Sequence, residues 1–261
     1  SAGELAGIGL RIPLLGELTN SGITTGTELQ SYPGSKLGQE VEYLLKKIEG
    51  TSENAKCISV TSSGGTEGKT FVSSMMAVRW ARSGERVLLV DGNLVAPHLH
   101  EHFGRKLGSG LVEVMAGSVS LEDAIQNTSV DNVELLTAGS QSSFKNWNGE
   151  KFARLIAEAS SRYDKVIIDT APYAEVSEVM DALASSGYVL IVARRGVTMR
   201  KDIEDLDELK SNGLSLPETG LVLTDSFEEE VTWNPFKKQS KYFDDKHLSF
   251  TGKLLRLFKK V

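Results

Sequence analysis

The sequence has very little cysteine, no long apolar run and no excess of positive charge. One cysteine among 261 residues cannot form an internal disulfide, which fits a reducing compartment such as the cytoplasm. The clearest apolar run, residues 189–193, is far shorter than the roughly 18 residues that a membrane helix needs. There is no signal peptide. The formal net charge of −6 gives no reason to expect nucleic acid as a partner.

The overall composition is that of an ordinary globular protein. Apolar residues make up 40% of the chain and charged residues 25%, which is ample material for a hydrophobic core. This excludes collagen-like, mucin-like and wholly disordered chains. The length suits one large α/β domain or two small ones.

The small net charge conceals an uneven distribution. Residues 246–261 hold five Lys or Arg and no acid, so they carry +5 and residues 1–245 carry −11. Leucines alternate with these bases over residues 253–260, which is the pattern of a basic amphipathic helix. Two interpretations stay open for this tail: it binds an anionic membrane surface or a partner, or it packs on its own domain.

Short β-branched runs alternate with helical patterns from Cys57 onward. Such alternation predicts an α/β fold, with a mostly parallel sheet covered by helices on both faces. The predicted strands span residues 57–61, 87–90, 133–136, 166–169, 188–193 and 221–224. The predicted helices span residues 69–83, 110–115, 121–126, 151–162, 177–185 and 200–212.

The ends of the chain differ from this central pattern. The first 35 residues are rich in Gly, Ser and Thr and are expected to drape over the domain as a leader, and residues 37–49 have helical spacing. We therefore divide the chain into a leader with an N-terminal helix (1–55), a nucleotide-binding domain (56–225) and a C-terminal tail (226–261).

A glycine-rich segment between a strand and a helix predicts a phosphate-binding P-loop. The predicted nucleotide-binding residues are Ser63, Gly64, Gly65, Thr66, Glu67, Gly68, Lys69, Thr70 and Phe71. Backbone N–H groups at a helix N-terminus attract phosphate, Lys69 would reach its β and γ groups, and the Thr70 hydroxyl would bind Mg²⁺. The alternative is a glycine-rich turn with an incidental lysine, which Gly-Lys-Thr in this setting disfavours. Ser63 stands where such loops usually have their first glycine. If that position is left-handed, a non-glycine residue there costs roughly 1–2 kcal/mol.

Two further strands each end in a carboxylate. Asp91 and Asp169 follow runs of apolar residues, and strand ends in a parallel sheet meet beside the P-loop. Buried carboxylates are costly without a metal or a donor, and Mg²⁺ would compensate them. The alternative is that each aspartate caps its following loop. Arg194 and Arg195 also follow a strand at this end, and either contact a phosphate or lie in a solvated loop.

Together these segments resemble the bacterial tyrosine kinases of capsule and exopolysaccharide export, the BY-kinases. The resemblance rests on the P-loop, on Asp-Gly-Asn at 91–93 and on Asp-Thr-Ala-Pro at 169–172, and extends over about residues 10–225. It implies a deviant Walker A P-loop NTPase fold of the MinD/ParA-like superfamily. It also implies Mg²⁺ and ATP as cofactors and a cytoplasmic position at the inner face of the bacterial membrane. In proteobacterial members this domain follows a membrane-anchored region, which would explain a chain without an initial methionine.

The resemblance assigns roles to individual positions. It implies Lys69 and Asp91 as catalytic residues, Thr224 as the residue that contacts the base, and the following metal ligands: Thr70, Asp91, Asn93 and Asp169. It implies ATP or ADP and a membrane polysaccharide co-polymerase or adaptor as partners, with a homo-oligomer as a further expectation. ParA/MinD-type partitioning ATPases carry a signature lysine where this chain has Gly64, which disfavours that alternative.

Several positions depart from the family pattern. Asn93 replaces a second aspartate and cannot act as a base, and loss of a general base typically costs about 10²–10⁴ in rate. Thr224 stands where the family has an adenine-reading Asn. Only Tyr242 follows residue 225, where the family has a tyrosine cluster. The helical oligomerisation motif is reduced to Glu40, Tyr43 and Lys46. Two functions therefore stay open: an autophosphorylating kinase, and a nucleotide-binding pseudokinase that regulates a co-polymerase.

Overall fold

A computed structural model describes residues 11–19, 34–52, 55–140, 147–176, 178–211 and 216–224. The predicted basic tail and Tyr242 lie outside these residues. The described part has one eight-stranded sheet in the order β1-β8-β7-β2-β6-β3-β5-β4. The strands are β1 (Leu14–Leu18), β2 (Cys57–Thr61), β3 (Val87–Gly92), β4 (Ile125–Asn127), β5 (Val133–Leu136), β6 (Lys165–Thr170), β7 (Tyr188–Arg194) and β8 (Glu218–Thr224).

The helices connect these strands in the predicted alternation. They are α1 (Lys36–Thr51), α2 (Lys69–Arg82), α3 (Leu99–His102), α4 (Leu111–Ala116), α5 (Leu121–Ala124), α6 (Gly149–Arg162), α7 (Val179–Ala184) and α8 (Arg200–Ser211). All strand pairs are parallel except β4 with β5. Among the described residues, no helix is long and apolar enough to span a membrane.

Helices cover both faces of the sheet, which confirms the predicted fold class. Alternate residues of a strand point to opposite faces, so Leu89 packs with α1 and α2 while Leu88 packs with α4 and α6. A third cluster joins α7 and α8 to β7 and β8 on the face opposite α1 and α2. Because the central strands are buried on both faces, most of their residues are apolar, and the polar ones include the site residues Asp91 and Asp169.

Two strands were not predicted. Leu14–Leu18 is not draped over the domain but forms β1, an edge strand parallel to β8. Its sequence contains Gly16 and Glu17, which weaken the strand pattern, and its pairing partner lies about 200 residues away. The helix expected over 121–126 ends at Ala124, and Ile125–Asn127 pairs antiparallel with β5.

The sheet order places three site-bearing strands side by side. β6 lies between β2 and β3, and Asp169 of β6 pairs with Val60 of β2 and with Asp91 of β3. All three strands are parallel, so the loop that follows β2 and the two aspartates meet at one edge.

Candidate nucleotide-binding site

The predicted P-loop joins the end of β2 to the start of α2. Gly68 is the N-cap of α2 and has φ +95°, a left-handed conformation that favours glycine. Ser63 is not left-handed, since Asn132 is the one non-glycine residue with positive φ in the described part of the chain. Ser63 therefore does not have the backbone strain of a left-handed serine.

The N-terminus of α2 carries no side-chain cap. By contrast, Ser35 and Asn148 accept hydrogen bonds from the first turns of α1 and α6. Uncapped N–H groups and the helix dipole make such a terminus suited to an anion. Gly65 and Thr66 are exposed at the tip of the loop, and Arg194 donates a 3.0 Å hydrogen bond to the Thr66 carbonyl.

Lys69 is buried and directed back along the loop. Its Nζ donates hydrogen bonds to the Ser62 hydroxyl and to the Gly64 carbonyl, both at 2.8 Å. Burial lowers the pKa of Lys69, while the carboxylates of Asp169, Glu67 and Glu175 act in the opposite direction. The ammonium group is therefore held at the inner side of the loop, where a bound phosphate would need it.

Glu67, one of the predicted nucleotide-binding residues, has its carboxylate bound within the loop itself. Only 3% exposed, it turns its carboxylate back to accept the Gly64 N–H at 2.8 Å and the Ser63 hydroxyl at 3.1 Å. These contacts are not among the features that the sequence predicts. The sequence does contain a signal for them, since two consecutive serines precede Glu67 at a short distance. Their hydroxyl groups can donate hydrogen bonds to a carboxylate.

Thr70 and Asp169, two of the four predicted metal ligands, are hydrogen-bonded to each other, and their binding of a metal stays a prediction. The Thr70 hydroxyl donates to Asp169 Oδ2 at 2.7 Å, and the Ser73 hydroxyl lies 3.4 Å from Oδ1. Burial raises the pKa of Asp169 to about 6, even though these donors and Lys69 favour its charged form. At a given pH, a larger fraction of Asp169 is therefore ionised than burial alone would allow.

Asp91 lies beside Asp169 and also organises the chain that follows it. Its Oδ1 accepts the Asn93 N–H at 3.3 Å and its Oδ2 accepts the Leu99 N–H at 3.2 Å. Burial and the neighbouring Asp169 raise the pKa of Asp91 well above the usual range. Asp91 therefore caps the loop that follows it, as the alternative interpretation predicted, and it also lies beside Asp169 in the candidate site.

The oxygen atoms at this edge fit Mg²⁺ bound with a nucleotide. Carboxylates and a threonine hydroxyl are hard oxygen donors of the kind that Mg²⁺ takes. Within the described ranges, no group of three His, Cys, Asp or Glu could hold a metal by protein side chains alone. A Mg²⁺ ion bound to these oxygens would also take oxygens of a bound phosphate as ligands. Asn93 accepts the Ala96 N–H at 3.2 Å, and its role as a ligand stays a prediction.

Thr224 and Phe71, the two remaining predicted nucleotide-binding residues, both make contacts within the protein. The Thr224 hydroxyl donates to the Glu67 carbonyl at 2.8 Å, so it anchors β8 to the P-loop. Phe71 packs its ring against the hydrophobic core, which leaves its main-chain N–H for nucleotide contact. Base contact by Thr224 stays a prediction.

The fold and the loop together define the class of the domain. Residues 55–208 match the model of the AAA_31 family, described as an AAA domain. Over 172 residues, the chain is 31% identical to tyrosine-protein kinase wzc of Salmonella typhimurium, a match that covers 65% of this chain and 24% of that protein. The chain belongs to the AAA_31 family, and its similarity to wzc supports membership of the bacterial tyrosine-kinase family. It spans about a quarter of the length of the curated relatives that it matches first.

Solved structures support the same fold. The kinase domain of Escherichia coli tyrosine kinase ETK superposes with a TM-score of 0.75 at 22% identity, covering 91% of this chain and 98% of that domain. MinD of Pyrococcus horikoshii, solved with Mg-ADP, gives a TM-score of 0.56 at 28% identity, over 64% of this chain and 69% of that one. The predicted relation to MinD-like P-loop ATPases is confirmed at the level of fold.

Proposed function

We propose that this domain binds Mg-ATP and acts as the tyrosine-kinase-like ATPase of an exopolysaccharide or capsule export system. One observation carries the proposal: the uncapped N-terminus of α2 begins with Lys69 and Thr70, and the Thr70 hydroxyl lies 2.7 Å from Asp169 Oδ2. The Mg-ADP bound by the similar MinD supports the choice of ligand.

Each residue has a defined task in this function. The N–H groups of the loop and of the first turn of α2 would hold the phosphates, and Lys69 would neutralise charge that develops during transfer. Thr70 and Asp169 would hold Mg²⁺, which supplies electrostatic stabilisation when bound. Asp91 would accept the proton of a tyrosine hydroxyl, because it lies beside the candidate metal ligand Asp169 and its carboxylate is a proton acceptor.

A second function, a nucleotide-binding regulator with weak or no kinase activity, is favoured by Asp91 itself. Its two oxygens each accept a backbone N–H, and the side chain is fully buried. Asn93 cannot replace it as a base. In this alternative the domain reports its nucleotide state to a partner without transferring phosphate.

We further propose that the domain works at the inner face of the bacterial membrane, with a polysaccharide co-polymerase or adaptor as partner. The basic tail would provide an additional membrane contact. A homo-oligomer through α1 receives mixed support: Tyr43 is 55% exposed, whereas Glu40 is bound to Thr19 by both its oxygens.

Phosphotyrosine formation separates the two functions. The chain is incubated with Mg-ATP and its phosphorylated residues are mapped by mass spectrometry, with Lys69→Ala as the inactive control. A kinase acquires phosphate on Tyr242 in the wild type alone. A wild type that binds nucleotide but gains no phosphotyrosine supports the regulator, and phosphorylation that persists in Lys69→Ala contradicts the assigned site.

A further inference from the structure

Glu67 carries a buried carboxylate inside a loop whose usual task is to bind anions. A buried carboxylate is costly unless donors satisfy it. Here Oε1 accepts the Gly64 N–H at 2.8 Å and the Ser63 hydroxyl at 3.1 Å, and Oε2 lies 3.3 Å from the Ser62 hydroxyl. Gly64 and Ser63 belong to the first half of the loop, and the Ser62 hydroxyl, which also donates to the Gly64 carbonyl at 2.6 Å, directly precedes it. The carboxylate therefore ties the end of the loop to its beginning.

Lys69 makes a second set of contacts with the same part of the loop. Lys69 donates to the Ser62 hydroxyl and to the Gly64 carbonyl, so the N–H of Gly64 contacts Glu67 and its C=O contacts Lys69. The main chain of Glu67 is also fixed, because its carbonyl accepts the Thr224 hydroxyl at 2.8 Å. Both the side chain and the backbone of Glu67 are thus bound.

The space beside Gly64 shows how closely the carboxylate fits. A Cβ added at Gly64 would lie 3.0 Å from Glu67 Oε1, closer than almost all such contacts in proteins. The carboxylate therefore lies where a side chain at position 64 would begin. Glycine at this position, where partitioning ATPases have a lysine, is matched to Glu67.

We propose that Glu67 is a positioning residue, which holds the loop in its phosphate-binding shape through Gly64 and the two serines. This inference rests on the proposed nucleotide-binding function. A loop that is already shaped loses less conformational freedom when phosphate binds, and this raises affinity. In this chain the hydroxyl groups of Ser62 and Ser63 and the Glu67 carboxylate together hold the loop in that shape.

The shape of the loop is tested first, without nucleotide, by hydrogen–deuterium exchange over residues 62–68. Glu67→Ala should raise exchange throughout this segment. Glu67→Gln should stay close to the wild type, because its amide oxygen still accepts from Gly64 and Ser63. Glu101→Ala, which removes an exposed carboxylate near the site, is the matched control and should change nothing. Equal exchange in wild type and Glu67→Ala overturns the proposal.

Titration with Mg-ADP then separates positioning from simple charge. Glu67→Ala should weaken binding by about tenfold and Ser63→Ala by about two- to threefold, while Glu67→Gln restores affinity to within about threefold of the wild type. If Glu67→Ala and Glu67→Gln both bind more tightly than the wild type, the carboxylate repels phosphate and the proposal is wrong.

The two proposals fail in different ways. A wild type that binds no Mg-ADP but whose loop exchanges faster in Glu67→Ala would keep the positioning role and refute the nucleotide-binding function. Circular dichroism of each variant shows whether it is folded. Ser63→Ala, which removes a single hydroxyl, provides the same test if Glu67→Ala does not fold.

Discussion

At the scale of single residues, the site is built from charges that the fold does not favour. Asp91 and Asp169 are paired across adjacent strands and both are almost fully buried, and the Asp169 carboxylate disfavours ionisation of Asp91. Their cost is reduced by Thr70, Ser73 and the N–H groups after β3. Residues kept in spite of their cost to stability are typical of functional sites.

Stability should therefore depend on pH through Asp169. Its folded pKa of about 6 lies above its usual value of 3.8, so between these pH values the folded state binds more protons than the unfolded state. Its contribution to stability is present at low pH and is lost as pH rises through the folded pKa, with a slope of up to about 1.4 kcal/mol per pH unit.

Asp169→Asn should raise the free energy of unfolding at pH 7 by about 1–3 kcal/mol, because it removes a buried charge but still accepts from Thr70. It should also make stability less dependent on pH between about 4 and 6. Urea unfolding at pH 5 and pH 7 measures both effects, with the exposed Asp131→Asn as the control. An Asn variant that is less stable at pH 7 would contradict this electrostatic explanation.

At the scale of helices and strands, predictions succeeded where the pattern was local and continuous. The central strands are mostly apolar and almost entirely buried, so the sequence predicts β2, β3, β5 and β7 nearly at their true bounds. The edge strands β1 and β4 were missed, because each depends on a partner rather than on its own composition. Ile125 follows α5 directly, so its apolar side chain continued a helical pattern that the structure ends one residue earlier.

The docking of β1 onto β8 depends on Gly220. A Cβ at this position would overlap the Tyr188 hydroxyl and the Leu15 side chain. Gly220→Ala should therefore lower the free energy of unfolding by roughly 1–3 kcal/mol. Gly50→Ala is the matched control: its Cβ meets open space in the last turn of α1, and it should be neutral or stabilising by up to about 1 kcal/mol. Urea unfolding of both variants tests this, and equal effects would show that β1 is not tightly packed.

At the scale of the whole molecule, one edge of the sheet collects residues that are distant in the sequence. Thr224 contacts Glu67 across 157 positions, and Thr70 contacts Asp169 across 99. The rule that parallel strands meet at their carboxyl ends predicted this meeting for Lys69, Thr70, Asp91 and Asp169. The rule gives no side-chain directions, so the bonding of Glu67 inside the loop and of Thr224 beneath it required the structure.

The central claim is that this edge binds Mg-nucleotide through the P-loop. Isothermal titration calorimetry of the wild type and of Lys69→Ala with Mg-ADP tests it most directly. We expect a single site in the wild type and an affinity at least about 100-fold lower in Lys69→Ala, because the lost ammonium would neutralise the charge of the bound phosphates. Absence of binding heat in the wild type, or equal affinity in the two proteins, would contradict the claim.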